Sequence, residues 1–538
     1  MRCGYNYPVL DINTLPDDVA GLKRLVVEHH AASQAKDIEL REQRQQIEHL
    51  KFQLAKLRRA RFGQSSEQMD SGQLPLSLEE LKAAVVEAER AAELEASTAA
   101  KGQPVRRKKL PEHFEHIDNV IAPAECACPD CGGELKELGT PDAAEVLDVK
   151  TVTFTVTRHI RPKKRCPKCS CIVQAPAPSR PIERSFAGAS LLALVLTWKY
   201  GFHLPLYRQC QIFAHAGMTL SRTTLMQWVG ASSRLLGPLV AALAKYVLSA
   251  SNLNADDTPI KVLAPGMGKT KRGHLWTYVR DGTTWGSTDP PAVWYQYSPS
   301  WHGKYPQRHL ATFTGKLQVD AYAGFEPLFL PSKPGVAARV EEISCMAHAR
   351  RNFFDLYVAV DSPLAKEAIE RIGGLYQIED HIRGSSPAQR LAARQQYAVP
   401  LLNALHTWMI ESVSQIDKKS DLAAAFHYSL NRWESLCRYS QDGRLEIDNN
   451  IAERSIRGIG TGRRNYLFFG SDTGGERAAI IYSLVESCKL NHLDPQRYLQ
   501  YVLERIADHP INRVDELLPW NVADKLNQPT QVTQALAA

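Results

Sequence analysis

Two Cys-x-x-Cys knuckles, Cys128-Pro-Asp-Cys131 and Cys166-Pro-Lys-Cys169, constrain this chain more than any other feature. Each knuckle offers two thiolates to one tetrahedral ion, and two knuckles complete the four-sulfur shell that a structural zinc takes. Glycine after the first knuckle permits the tight turn around the sulfurs. The 34 residues between Cys131 and Cys166 exceed a compact ribbon, and a strand hairpin accounts for them. Residues 147–160 alternate Val149, Thr151, Thr153 and Thr155 with Val152, Phe154 and Val156, the period of a strand. Cys126 and Cys171 flank the set, and either could substitute for a neighbouring ligand. Lys163, Lys164, Arg165 and Lys168 sit on the second knuckle, where they suit phosphate contact; a solvated basic loop is the plain alternative.

With 538 residues, 44% apolar and 23% charged, the chain is globular and long enough for about three or four domains. The longest nearly uncharged apolar stretch, Phe186 to Trp198, falls short of the ~18 to 20 residues of a membrane span. Asp11, Asp17 and Asp18 precede any apolar block, unlike a secretion signal, so a cytoplasmic protein is expected. Six of the 11 cysteines crowd between Cys126 and Cys171, which in that compartment points to metal rather than disulfides. The net charge of +7 (65 minus 58) is modest, but its basic residues cluster.

Upstream, Leu40, Ile47, Leu50, Leu54 and Leu57 recur at heptad spacing within a polar, proline-free segment from about Leu22 to Arg61. That is a zipper seam, with a self-packed amphipathic helix as the alternative. Residues 70–110, rich in Ala, Glu, Ser and Gln, read as a linker ending in the basic run Arg106 to Lys109. Past Pro181 the period turns helical. Tyr207 to His215 and Thr223 to Ser233, joined by a turn through Gly217, resemble a helix-turn-helix, although any two core helices joined by a glycine turn look the same. Strand-like runs follow at Ser251 to Leu263, Leu275 to Arg280, Ala292 to Tyr297, Leu317 to Asp320 and Glu342 to Cys345. Helical pattern dominates after Arg350, with a glycine-rich interruption from Gly458 to Gly474 read as a turn. Strands first, with helices around and after them, describe an α/β domain carrying a large helical insertion.

Acids stand where half-buried strands should be apolar. Asn254-Ala-Asp256-Asp257-Thr258 places two on one strand, and Leu317-Gln-Val-Asp320 runs an apolar face into a third. Far downstream, Asp448-Asn-Asn-Ile-Ala-Glu453-Arg starts a helix with a glutamate in its first turns. Two strand aspartates and a helix acid could hold two divalent cations ~3.5 to 4 Å apart, which clamp the attacking and leaving oxygens of a phosphodiester displacement. Oxygen ligands of this kind select magnesium or manganese. If Asn450 caps the helix, Glu453 also suits a capping box, the plain reading of that residue. His348 reads as a packed histidine after a strand, and Arg454 and Arg457, beside Glu453, as phosphate contacts.

Ala255-Asp-Asp-Thr258, Asp320-Ala-Tyr-Ala-Gly324, His348-Ala-Arg-Arg351, Asp448 to Arg454 and Gly470-Ser-x-x-Gly474-Gly475, with Phe62-Gly63 upstream, resemble the transposases of the insertion sequence 66 family across nearly the whole chain. The family usually has Glu at Asp257 and Gly at Ala321, and which of Asp256 and Asp257 faces the metals stays open. The resemblance implies a DDE-type enzyme with a ribonuclease-H-like core whose catalytic acids and magnesium or manganese ligands are Asp256, Asp320 and Glu453. The expected organisation is a zipper-like coiled coil at 1–69, a linker at 70–110, the zinc module at 111–181 and a helix-turn-helix-like region at 182–250. The catalytic domain follows at 251–475, with an insertion at about 360–440, then a C-terminal helical region at 476–538.

The function expected is DNA transposition: hydrolysis at the ends of an insertion element, then attack of the freed 3'-hydroxyls on target DNA. Partners would be the element's terminal repeats, target DNA, at least one further copy of the chain and accessory proteins of the element, in a bacterial nucleoid and without membrane. The rivals are a non-catalytic zinc-containing DNA-binding regulator and a metal-dependent nuclease without strand transfer.

Overall fold

The computed structural model describes residues 153–156, 163–165, 172–174, 179–183, 185–264, 266, 268–331 and 337–527, with scattered positions from Gly21 to Gln53. The knuckle ligands Cys128, Cys131, Cys166 and Cys169, the reserves Cys126 and Cys171, Lys168, and the seam residues Leu40, Leu54 and Leu57 lie outside the described residues. Two compact units divide the chain: Met1–Gly72, Lys163–Cys210 and Leu220–Ala538 form the first, and Gln73–Pro162 with Gln211–Thr219 the second. Within the second, Phe154 meets Phe213 edge-on at 5.6 Å.

In the first unit, β1 (Lys163–Arg165) pairs antiparallel with β2 (Ile172–Gln174). Helix α1 (Ala189–Leu196) runs into a π-helical turn, Thr197–Gly201. Helix α2 (Leu206–His215) and α3 (Arg222–Leu248) occupy the expected helix pair. Ser221 caps α3 by accepting the Thr224 N–H, and the helix runs its full 27 residues rather than stopping near Ser233.

The main sheet is built on β3 (Asn252–Ala264) and β4 (Lys269–Arg280), an antiparallel pair. Seven consecutive residues of β4, Gly273 to Val279, are buried, the mark of a strand covered on both faces. The antiparallel β5 (Ala292–Ser298) lies outside β4. A short helix, α4 (Lys304–His309), leads to β6 (Gly315–Val319), parallel to β3, and to β7 (Val340–Ser344), parallel to β6. The strand order is β5-β4-β3-β6-β7. All five predicted strand-like runs are present, and Asp320 lies one residue beyond the end of β6.

After α5 (Met346–Val360) the chain leaves the sheet through α6 (Pro363–Ile382), α7 (Pro387–Ala393), a π turn, α8 (Val399–Ser414), α9 (Asp421–Asn431) and α10 (Trp433–Cys437). These helices build their own core around Phe353, Ile372, Leu405 and Phe426. It is nailed by a buried ion cluster, in which Arg394 pairs with Glu379 at 2.6 Å and Arg390 with Glu446 at 2.7 Å. The chain then returns as α11 (Asn450–Asn465), against β3 and β4, and α12 (Asp472–Leu490), along β5. The described part closes with α13 (Pro495–Arg505) and α14 (Pro519–Asn527).

The glycine-rich stretch corrects one expectation. Gly458, Gly460 and Gly462 do not make a turn; α11 continues through them. A Cβ on Gly462 would stand 2.5 Å from the Tyr466 hydroxyl, so a missing side chain here serves close packing. The chain leaves the helix only at Tyr466, and Phe469 then bridges to Val262 of β3.

Candidate active site

Asp256 and Asp257 sit at mid-strand in β3, opposite Thr277 and Trp276 of β4. Successive side chains of a strand point to opposite faces, so the two acids have different surroundings. Both oxygens of Asp257 are engaged: Oδ2 lies 2.5 Å from His274 Nδ1, and Oδ1 accepts the indole N–H of Trp301 at 2.8 Å. Trp301 lies nearly parallel to His274, at 5.7 Å, and to Tyr322, at 4.2 Å. Asp257 thus holds together an aromatic stack. Gly324 is needed there, because a Cβ would stand 2.0 Å from the Tyr322 ring.

Asp256 has different company. Burial, then the carboxylate of Asp320, push its carboxyl well above the ordinary range; Asp257 and Glu453 add to the effect. Asp320 is also raised by burial, against the opposing charges of His348 and Arg432. Glu453 stands on the first turns of α11 with Oε1 3.8 Å from His348 Nε2. Ser455 docks that turn on the sheet: its hydroxyl is 3.0 Å from Thr277 Oγ1, and its carbonyl accepts the Tyr295 hydroxyl at 2.7 Å. Asp256, Asp320 and Glu453 are therefore electrostatic neighbours, with His348 beside two of them.

The capping-box reading of Glu453 does not hold. Asn449, not Asn450, occupies the cap position, and its side chain makes no capping bond. Glu453 is therefore one position beyond the third, and Asp448 instead accepts the Asn450 backbone N–H at 3.1 Å. Burial lifts Asp448 to about 6, and its oxygens face Asn450. His348, read from sequence as packing, belongs with the acids; the histidine's place one turn into α5 gave no sign of which side it faces.

Of the proposed DNA contacts, Arg454 and Arg457 are exposed on one side of α11 and have no carboxylate partner among the described residues. Arg463 has a structural task, donating to the Pro259 carbonyl at 2.6 Å. Lys163, Lys164 and Arg165 are described only as the backbone of β1. Among the described residues no three His, Cys, Asp or Glu side chains already converge tightly enough to cage an ion. The donor chemistry nonetheless fits a hard divalent cation, since the acids are oxygen donors and both Asp320 and Glu453 act on the buried carboxyl of Asp256.

A mixed five-stranded sheet that gathers acids from a central strand, the end of its parallel neighbour and a returning helix defines an α/β protein with a carboxylate-lined site. The family is fixed by comparison. Residues 184–477 match the Transposase IS66 family, 483–520 its C-terminal element, 125–170 the zinc-finger binding domain of transposase IS66, and 49–118 the element described as Transposase C of IS166 homeodomain. The chain belongs to the IS66 transposase family. Two uncharacterized proteins of Sinorhizobium fredii are similar along most of their length. The protein y4hP is 39% identical over 493 residues, 88% of each chain, and y4qI is 34% identical over 534, covering 95% of this chain and 98% of its own. No helix among the described residues is long and apolar enough to cross a membrane.

Proposed function

We propose that the protein is a DDE-type DNA transposase with a ribonuclease-H-like core, in which Asp256, Asp320 and Glu453 form the catalytic centre. The observation that carries this reading is geometric: Asp256 stands at mid-strand in β3, Asp320 just past the end of the neighbouring β6, and Glu453 on the turn of α11 that Ser455 docks on the sheet, with burial and Asp320 holding the Asp256 carboxyl above its ordinary range. Carboxylates that repel one another gain most from a cation between them. The strand order, three antiparallel strands continued by two parallel ones, supports the core assignment.

The three acids would hold Mg2+ or Mn2+, which lowers the pKa of attacking water and polarises the DNA hydroxyl. In hydrolysis, water oxygen would bond to phosphorus as the 3'-oxygen leaves as a hydroxyl; in transfer, that hydroxyl oxygen would bond to a target phosphorus as the target strand's own 3'-oxygen leaves with the proton. Arg454 and Arg457 would meet phosphates flanking Glu453. The cysteine module, with Cys128, Cys131, Cys166 and Cys169 on zinc, would add the cations of its second knuckle. Joining two element ends calls for at least two protomers, for which the Leu40 to Leu57 seam is the proposed contact.

A strand-transfer assay with labelled element ends tests the reading. Glu453→Gln removes the charge but keeps the shape, so cleavage and joining should disappear while end binding and melting temperature persist. Asp448→Asn is the control. Loss of cleavage in Asp448→Asn but not in Glu453→Gln would overturn the assignment of the third acid, and cleavage without joining would mark a plain nuclease.

A further inference from the structure

Two residues before each strand acid, and four before the helix acid, stands a buried amide: Asn254 before Asp256, Gln318 before Asp320 and Asn449 before Glu453. The three join in a directional circuit. Asn254 Nδ2 donates to Gln318 Oε1 at 3.1 Å and to Asn449 Oδ1 at 3.0 Å. Asn449 Nδ2 donates to the Ala255 carbonyl at 2.8 Å, the peptide that leads into Asp256. Gln318 Nε2 donates to the Glu446 carbonyl at 2.8 Å, three residues before Asn449, which closes the loop.

The position of this circuit in the sheet matters. The parallel ladder between β3 and β6 pairs Asn252 with Lys316, Leu253 with Leu317 and Asn254 with Gln318, and it ends there. Both acids stand two residues beyond the last pair. Backbone pairing cannot set their separation, and the side-chain amides continue the link at the fork. Asn254 and Asp256 share a face of β3. Gln318 and Asn449 are tied to Asn254 in one hydrogen-bonded layer just behind the chain positions that carry the acids. Asn449 makes no capping bond of its own and joins the circuit instead, so this part of the motif Asp448-Asn-Asn gains a role that capping did not explain.

We propose that Asn254, Gln318 and Asn449 are positioning residues that fix the spacing of Asp256, Asp320 and Glu453 for divalent-metal binding. The inference rests on the reading of those acids as metal ligands. Fixed donors lose less freedom when the cation draws them together, and partners behind ligands typically govern about 10- to 100-fold in metal affinity.

Manganese titration of the zinc-replete, full-length chain without DNA, followed by calorimetry, tests it. Asp256→Asn should abolish the Mn2+ site. Asn254→Leu and Gln318→Met, close in volume but unable to make the circuit, should each weaken Mn2+ binding by about 10- to 100-fold. The control is Gln209→Met, a buried glutamine that donates to the carbonyls of Val195 and Leu204; it should lower the melting temperature and leave Mn2+ affinity unchanged. If Asn254→Leu does not melt cooperatively, Asn254→Ser, which keeps one donor, takes its place. Folded circuit variants with wild-type Mn2+ affinity would overturn the positioning role alone. Wild-type Mn2+ binding by Asp256→Asn would instead overturn the metal reading of the acids, and this inference with it.

Discussion

Asp256 and Asp257 are identical side chains on adjacent residues, yet they do different work because a strand turns them to opposite faces. Asp257 satisfies the buried His274 imidazole and the Trp301 indole; Asp256 is pressed by other acids. Removing Asp257 leaves the buried His274 ring nitrogen without its partner, which costs about 1 to 3 kcal/mol, while the half-exposed Trp301 indole can turn to water. Asp257→Ala should therefore melt well below Asp256→Asn, while Asp256→Asn shows the larger loss of cleavage. Thermal melts beside a cleavage assay read both quantities, and the reverse ranking would exchange the two roles. From sequence, acids in a strand pattern are conspicuous, but not how the surroundings of Asp256 and Asp257 differ, because register is set by the partner strands. His348 was obscure for a related reason: helix periodicity cannot show which side of a first turn meets a residue more than a hundred positions away.

Element α12 shows how a helix can finish a sheet. Strand β5 lies at the sheet edge, where unpaired backbone groups invite association. Ser487 Oγ accepts the Val293 N–H and donates to the Val293 carbonyl, both at 3.0 Å, and Ser483 Oγ accepts the Tyr295 N–H at 2.9 Å. The two serines, one helical turn apart, occupy the place of a sixth strand. Close approach depends on Gly475, where a Cβ would stand 2.4 Å from the Tyr297 ring. The double variant Ser483→Ala, Ser487→Ala should destabilise by about 1 to 3 kcal/mol per stranded group and scatter light on warming. A double variant that melts and stays clear like wild type would show that the hydroxyls are dispensable. The strands themselves were legible from alternation and β-branched residues. The glycines were not, since a glycine that admits a neighbouring side chain and one that permits a turn look alike in sequence: Gly462 does the first inside α11.

At the scale of the whole molecule, motif order carried the family assignment and the strand–helix succession the sheet with its helical insertion, because both depend on local pattern. What local pattern cannot supply is the destination of an amphipathic face, and the N-terminal seam is the clearest case. Its described residues are helical, and His49 lies 2.9 Å from Asp421 at the start of α9, so one side of the segment rests on the chain's own insertion. Ile47 and Leu50 nevertheless remain 53% and 60% exposed. Apolar residues at heptad spacing that their own chain leaves open are the surface a second helix would cover. Charged replacements at Leu50 and Leu54 would set like charges face to face in such a seam, while the His49 contact and the sheet domain stay untouched. The expected outcome is a fall in light-scattering mass from at least a dimer to the 60.1 kDa monomer, with an unchanged melting temperature of the main domain. His49→Ala should have the opposite pattern, keeping the dimer, since an exposed ion pair contributes at most about 1 kcal/mol. A wild-type chain that already scatters as a monomer, or a charged variant of unchanged mass, would return the seam to the role of a helix lying on its own protein.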